Sequence, residues 1–110
     1  IMSWYQYQIP LGYFREGVAG IRTGNWDVVQ LQTTALTGNP EYSAHRDYLE
    51  AALEIYRGEL DKAESLLETA GNDPAVQPYA LAAEGVIALQ RGDLEQAKTK
   101  AQAALELDYS

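Results

Sequence analysis

The sequence predicts an all-α chain of tandem helix-turn-helix units stacked as a solenoid, and three observations predict it. The first is a period. Gly24, Gly58 and Gly92 stand 34 residues apart, and their surroundings repeat with them. Two positions after each glycine comes a large apolar residue (Trp26, Leu60, Leu94), followed at once by an acidic one (Asp27, Asp61, Glu95). Val29, Ala63 and Ala97 lie five positions after it and Gly17, Ala51 and Gly85 seven before, with Pro40 and Pro74 also in register. A helix pair cannot bury its apolar face alone, so units of this length stack on their neighbours. The second observation is apolar spacing of four and three between turns, and the third is the lack of any sustained strand alternation.

Each element follows from that pattern. Phe14, Val18 and Ile21 share one face of a helix predicted over residues 13–23, which Gly24-Asn25 ends. A second helix is expected over 26–37. Its Val28-Val29 and Thr33-Thr34 are weak helix formers, so packing rather than propensity must hold it. Gly38-Asn39-Pro40 reads as a turn, with a left-handed glycine ahead of a proline that cannot continue the helix. Helices over 41–57 and 60–70 follow, split by Gly58, and Gly71-Asn72-Asp73-Pro74 repeats the long turn. The last pair covers 75–91 and 94–107, split by Gly92-Asp93; Ala, Leu, Glu and Gln dominate these later helices and favour them intrinsically.

Composition narrows the function. The 110 residues fit one domain, with 8 basic and 16 acidic side chains and a formal net charge of −8. A phosphate backbone would be repelled over most of this surface, which argues against nucleic acid. There is no cysteine, so disulfides, thiolate nucleophiles and cysteine-bound zinc are excluded, and one histidine builds no multi-histidine metal site. No apolar run approaches the roughly 20 residues that cross a bilayer, and no signal peptide is visible. The composition fits cytoplasm or periplasm equally.

The joint pattern resembles the tetratricopeptide repeat (TPR) family, over nearly the whole chain. The third copy, residues 78–110, matches best, through Gly85, Gly92-Asp93-Leu94, Ala97 and Ala104-Leu105-Glu106-Leu107-Asp108. The second, 44–77, matches at Ala51, Gly58, Leu60, Ala63 and Ala70. The first, 10–43, keeps Gly17, Gly24 and Trp26 but has Val29 and Leu36 where alanine is usual. Glu16, Glu50 and Glu84 stand where the family has leucine. The resemblance implies a right-handed α-solenoid of three TPR-like repeats, with residues 1–9 as a lead-in or cap. Small residues at the eighth and twentieth positions let the helices of a pair approach closely.

The resemblance also implies that the first helix of each repeat forms a concave wall. Carried onto this chain, the groove-facing positions are Leu11, His45 and Tyr79; Phe14, Tyr48 and Ala82; Arg15, Leu49 and Ala83; Val18, Ala52 and Val86; Ile21, Ile55 and Leu89; Arg22, Tyr56 and Gln90. Val18, Ile21, Ile55 and Leu89 are expected to be core between repeats. The partner-binding candidates are Phe14, Arg15, Arg22, His45, Tyr48, Tyr56 and Tyr79, aromatic anchors with two arginines that suit a carboxylate. The lysines and asparagines with which chaperone-tail-binding members clamp a carboxylate are missing from this wall, which argues against that role. His45 has no accompanying nucleophile and carboxylate, so it is read as a first-turn residue near solvent or groove. Glu16, Glu50 and Glu84 sit about a solenoid step apart, roughly 10 Å from packed-helix spacing, too far for one metal ion, and are read as solvated or arginine-paired.

The expected function is therefore a non-catalytic protein-protein interaction module, with no cofactor and no metal, that binds a peptide or partner domain in the groove. An alternative is a soluble assembly or positioning tail of a bacterial membrane-bound envelope enzyme, such as a glycan polymerase or ligase. Trp4, Tyr5 and Tyr7 in the uncharged lead-in suit a membrane-water boundary, although folding back as a cap is favoured. The chain reads as a piece of a longer one, and an uncovered Ala/Leu face on the third repeat leaves self-association open.

Overall fold

The computed structural model of the chain describes residues 2–109, with the side chains of residues 9–107. Six α-helices make up these residues: α1 (Met2–Thr23), α2 (Trp26–Leu36), α3 (Ser43–Arg57), α4 (Leu60–Ala70), α5 (Gln77–Gln90) and α6 (Leu94–Tyr109). A short 3₁₀ turn, Pro40–Tyr42, leads into α3, and the described residues contain no strand. The all-α expectation holds. Each helix packs against the next, and α1, α3 and α5 also touch in series.

The period has a physical cause at the tight turns. Gly24, Gly58 and Gly92 have φ of 73°, 84° and 81°, and they are the described residues with positive φ. A side chain is disfavoured there by about 1–2 kcal/mol, so glycine recurs. After each glycine the chain donates a hydrogen bond five residues back: Asn25 N–H to the Gly20 carbonyl at 2.8 Å, Glu59 to Glu54 at 2.8 Å and Asp93 to Ala88 at 2.9 Å. This closes the first helix of each pair as a Schellman motif. Asn25 and Asp93 then cap the second helix, accepting from Val28 N–H at 3.3 Å and Gln96 N–H at 3.0 Å. The recurring acid (Asp27, Asp61, Glu95) lies in the first turn of that helix, where the helix dipole favours negative charge.

The long turns differ from expectation. Gly38 is not left-handed, because the chain leaves α2 through 3₁₀-type bonds from Thr37 and Asn39 to the carbonyls of Thr34 and Leu36. The predicted start of the third pair at 75 moves to Gln77, because Asp73 first folds a turn by accepting from Ala75 N–H at 2.9 Å. The lead-in also behaves differently. Pro10 does not open the first unit; α1 runs through it from Met2, so residues 2–9 continue the helix instead of folding back at Pro10. The aromatic side chains of that stretch lie outside the described residues.

Two buried clusters hold the pairs together. Phe14, Val29, Leu36, Leu49 and Leu53 fill the space between the first and second pairs. Ala51, Ala63, Leu67, Ala80, Ala83 and Ile87 fill that between the second and third, and Tyr48 packs against both. Val18, Ile21 and Ile55 pack against these clusters as expected, but Leu89 is 57% exposed. It is the penultimate residue of α5, in the last pair of the described residues.

Close approach within pairs is achieved in two ways. In the third pair a Cβ at Gly85 would lie 3.3 Å from the Ala97 carbonyl oxygen, so the small residues at the expected positions face each other. In the first pair the larger Val29 is accommodated by Gly20 instead, where an added Cβ would meet Val29 Cγ2 at 2.9 Å. Gly17 serves the neighbouring pair, since a Cβ there would meet Leu49 Cδ1 at 2.6 Å. Gly20→Ala gains about 0.5–1 kcal/mol of helix propensity and loses about 1–3 kcal/mol to overpacking. Urea unfolding is therefore expected to show Gly20→Ala as destabilising in the native background and less so, or stabilising, in a Val29→Ala background. Equal effects in both would contradict this packing.

Candidate functional site

The first helices of the three pairs carry most of an open groove of about 640 Å³. Ala52 and Ala83 keep its base low, Ile21, Ile55 and Val86 supply apolar walls, and Gln90 sits at one side. Trp26 closes one edge by stacking on Tyr56, with ring centres 4.5 Å apart and planes 21° from parallel. Tyr56 is 63% exposed and Val86 45%, so both present apolar surface to solvent along the groove.

An aromatic cluster forms the other end. Phe14 of α1 meets His45 edge-on at 4.8 Å and Tyr79 edge-on at 5.2 Å, and lies 5.9 Å from Tyr48. Tyr48 and Tyr79 are 5.5 Å apart. Rings from α1, α3 and α5 thus converge on Phe14. Edge-to-face pairs of this kind are each worth about 0.5–1.5 kcal/mol beyond the area they bury. Burial and the neighbouring Tyr79 push the Tyr48 phenol up to about 12, with the Arg22 charge opposing them. The phenol is therefore neutral at physiological pH and can both donate and accept a hydrogen bond.

A second cavity of about 480 Å³ adjoins the groove at Ala82, which lines both. Arg22 and Tyr79 line it together with Pro78, Ala101, Ala104 and Leu105. Among the described residues no carboxylate lines either cavity. The described acids with ion-pair partners use them elsewhere: Asp47 meets Arg46, Glu50 and Glu54 meet Arg57, Asp61 and Glu64 meet Arg91, and Glu84 meets Lys100. Glu84 is therefore lysine-paired, while Glu16 is exposed without an ion pair among the described residues. No group of three potential metal ligands occurs among the described residues, and no helix there is long and apolar enough to cross a membrane.

The structure sorts the seven candidate residues. Arg22, Tyr48, Tyr56 and Tyr79 come together along the two cavities. Phe14 does not line them; it is 5% exposed and belongs to the core, because three helices crowd around it. His45 is likewise buried, not near solvent, because it is clasped between Phe14 and Tyr42. Its Nδ1 is buried with no hydrogen-bond partner among the described residues. Arg15 is exposed and lines neither cavity.

Two features escaped the sequence reading. The cavity wall on α6, from Ala101, Ala104 and Leu105, belongs to a second helix, which the assignment of the wall to first helices leaves out. The ties between pairs were also legible. Arg57 donates to Gln30 at 3.1 Å and Arg91 to Glu64 at 2.9 Å, and each of these four lies 34 residues from its counterpart. An arginine directly before Gly58 and Gly92, where Thr23 precedes Gly24, was the available signal.

Comparison with protein-family models, curated proteins and solved structures finds no match in any of the three.

Burial lowers the His45 pKa from 6.5, with Asp73 partly opposing it. Between that lowered value and 6.5 the unfolded chain binds a proton that the folded chain does not, so this contribution to stability falls as pH drops through the window. As the sequence has one histidine, its ring protons give a single NMR titration curve. The expected midpoint lies below 6.5; a midpoint at or above 6.5 would contradict a buried, neutral ring.

Proposed function

We propose that the chain is a non-catalytic interaction module, a right-handed α-solenoid of three TPR-type repeats whose groove receives a peptide or a segment of a partner protein. Three features in a 34-residue register support the repeat reading: the left-handed glycines, the closing hydrogen bonds after them, and the arginine ties from one pair to the preceding one. The observation that carries the binding reading is the groove itself. In a chain of net charge −8 it is largely apolar, lined by no carboxylate among the described residues and bordered by exposed Tyr56 and Val86. Apolar grooves with a few convergent polar groups are where proteins take up partner segments.

A second reading, self-association, is favoured by α6. Leu94 and Leu105 are 67% and 54% exposed, whereas Leu60, the counterpart of Leu94 in α4, is packed against the core. A second copy of the chain would cover that face.

Tyr56 and Val86 are the residues for a test, because Tyr48 and Tyr79 take part in the aromatic core and their removal would confound binding with folding. A Val86→Glu chain with unchanged circular dichroism is expected to lose, by about tenfold or more, a partner captured by the native chain from its host lysate, since it puts an unpaired charge into an apolar interface. Undiminished capture by this variant would remove the groove reading. Loss of capture on changing Leu94, which lines neither cavity, would instead move the interface to α6.

A further inference from the structure

Resting on the groove reading, we infer that the bound segment carries one internal acidic residue, flanked on both sides by apolar side chains, with its carboxylate on Arg22. Five arginines occur in the sequence, and three of them, Arg46, Arg57 and Arg91, already hold carboxylates at 2.6–2.9 Å. Arg22 holds none among the described residues, although acidic side chains outnumber basic ones two to one, 16 to 8. It is an exposed guanidinium whose cavity is lined by no carboxylate among the described residues, and a planar fork of donors is best satisfied by a carboxylate.

Its position decides where in the partner that carboxylate lies. Arg22 lines the 480 Å³ cavity, its neighbour Ile21 lines the 640 Å³ groove, and its charge acts on Tyr48 of that groove. The cation therefore stands at the junction, with apolar space on both sides: Ile55 and Val86 on one, Pro78, Ala101 and Leu105 on the other. A segment ending at its own C-terminal carboxylate would leave one of these cavities empty. A segment running through fills both and places a side-chain carboxylate between two apolar anchors. Tyr48 lines the groove and Tyr79 the second cavity, with ring centres 5.5 Å apart, and a phenol can donate to the second carboxylate oxygen.

The whole-chain charge sets a further limit. A run of acidic residues would be repelled by the net −8, whereas a single carboxylate is governed by Arg22, because repulsion from more distant charges is screened over about 8–10 Å at physiological salt. One acid rather than an acidic tract is the chemistry that fits.

The test is selection from two pools of random synthetic peptides, one with amidated and one with free C-termini, against the native chain and the variants Val86→Glu and Arg22→Gln, each checked by circular dichroism. Selected peptides are then measured by fluorescence anisotropy. The expected peptides come from both pools and carry one Asp or Glu between apolar residues. They lose about tenfold in affinity on Arg22→Gln, the scale of a lost charge-assisted hydrogen bond. Replacing the peptide's acid by its amide gives a similar loss, and combining the two changes adds little. Peptides abolished by Val86→Glu but indifferent to Arg22→Gln, or lacking an acid, overturn this inference and leave the groove reading intact. So do peptides that bind only with a free C-terminal carboxylate. A selection without any peptide sensitive to Val86→Glu overturns both.

Discussion

The convergence of three helices on Phe14 is the contact on which the rest of this molecule depends. Neighbouring pairs touch through large apolar surfaces, but the first and third pairs are linked through the edge-on contact between Phe14 and Tyr79. That contact draws α5 toward α1, with Tyr48 of α3 between them. It adds a direct link between the outer two first helices to the two buried clusters that join neighbouring pairs. Phe14 therefore shapes the groove without lining it, which is why the sequence reading placed it one layer too far out.

The turns supply the second constraint. Each tight turn uses a left-handed glycine and a closing bond of the same kind, so the angle between the helices of a pair is set locally three times over. Packing then adjusts the distance. Where the second helix carries Ala97, Gly85 opposes it; where it carries Val29, Gly20 makes room. Surface ties from Arg57 to Gln30 and from Arg91 to Glu64 and Asp61 fix the register between pairs more than they stabilise it, since exposed ion pairs contribute little. Arg46, Arg57 and Arg91 are held by carboxylates, while Arg22 has no ion pair among the described residues.

What the sequence made legible follows from this division. Helices and tight turns were readable because their signals are local: α4 begins at Leu60 and ends at Ala70 as the spacing predicts, and Gly24, Gly58 and Gly92 mark the breaks. The long turns were less so, because Gly38 and Gly71 look alike in sequence while Asp73 and the 3₁₀ bonds after α2 decide the local path. The places of Tyr48 and Tyr56 along the groove, and of Arg22 and Tyr79 along the cavity beside it, were readable from the 34-residue register. Phe14 and His45 were not, since whether an aromatic at such a position faces outward depends on how sharply the three pairs curve, a property of the assembled chain. The α6 wall was invisible for the same reason: Leu105 reaches the second cavity only because Arg22 of α1 comes near it.

The most direct test of this account is a double-mutant cycle of Phe14→Leu and Tyr79→Leu, with stability measured by urea unfolding. A contact that joins the first and third pairs predicts a coupling of about 0.5–1.5 kcal/mol between the two changes. Purely additive effects would mean that α1 and α5 do not meet there and would contradict this account.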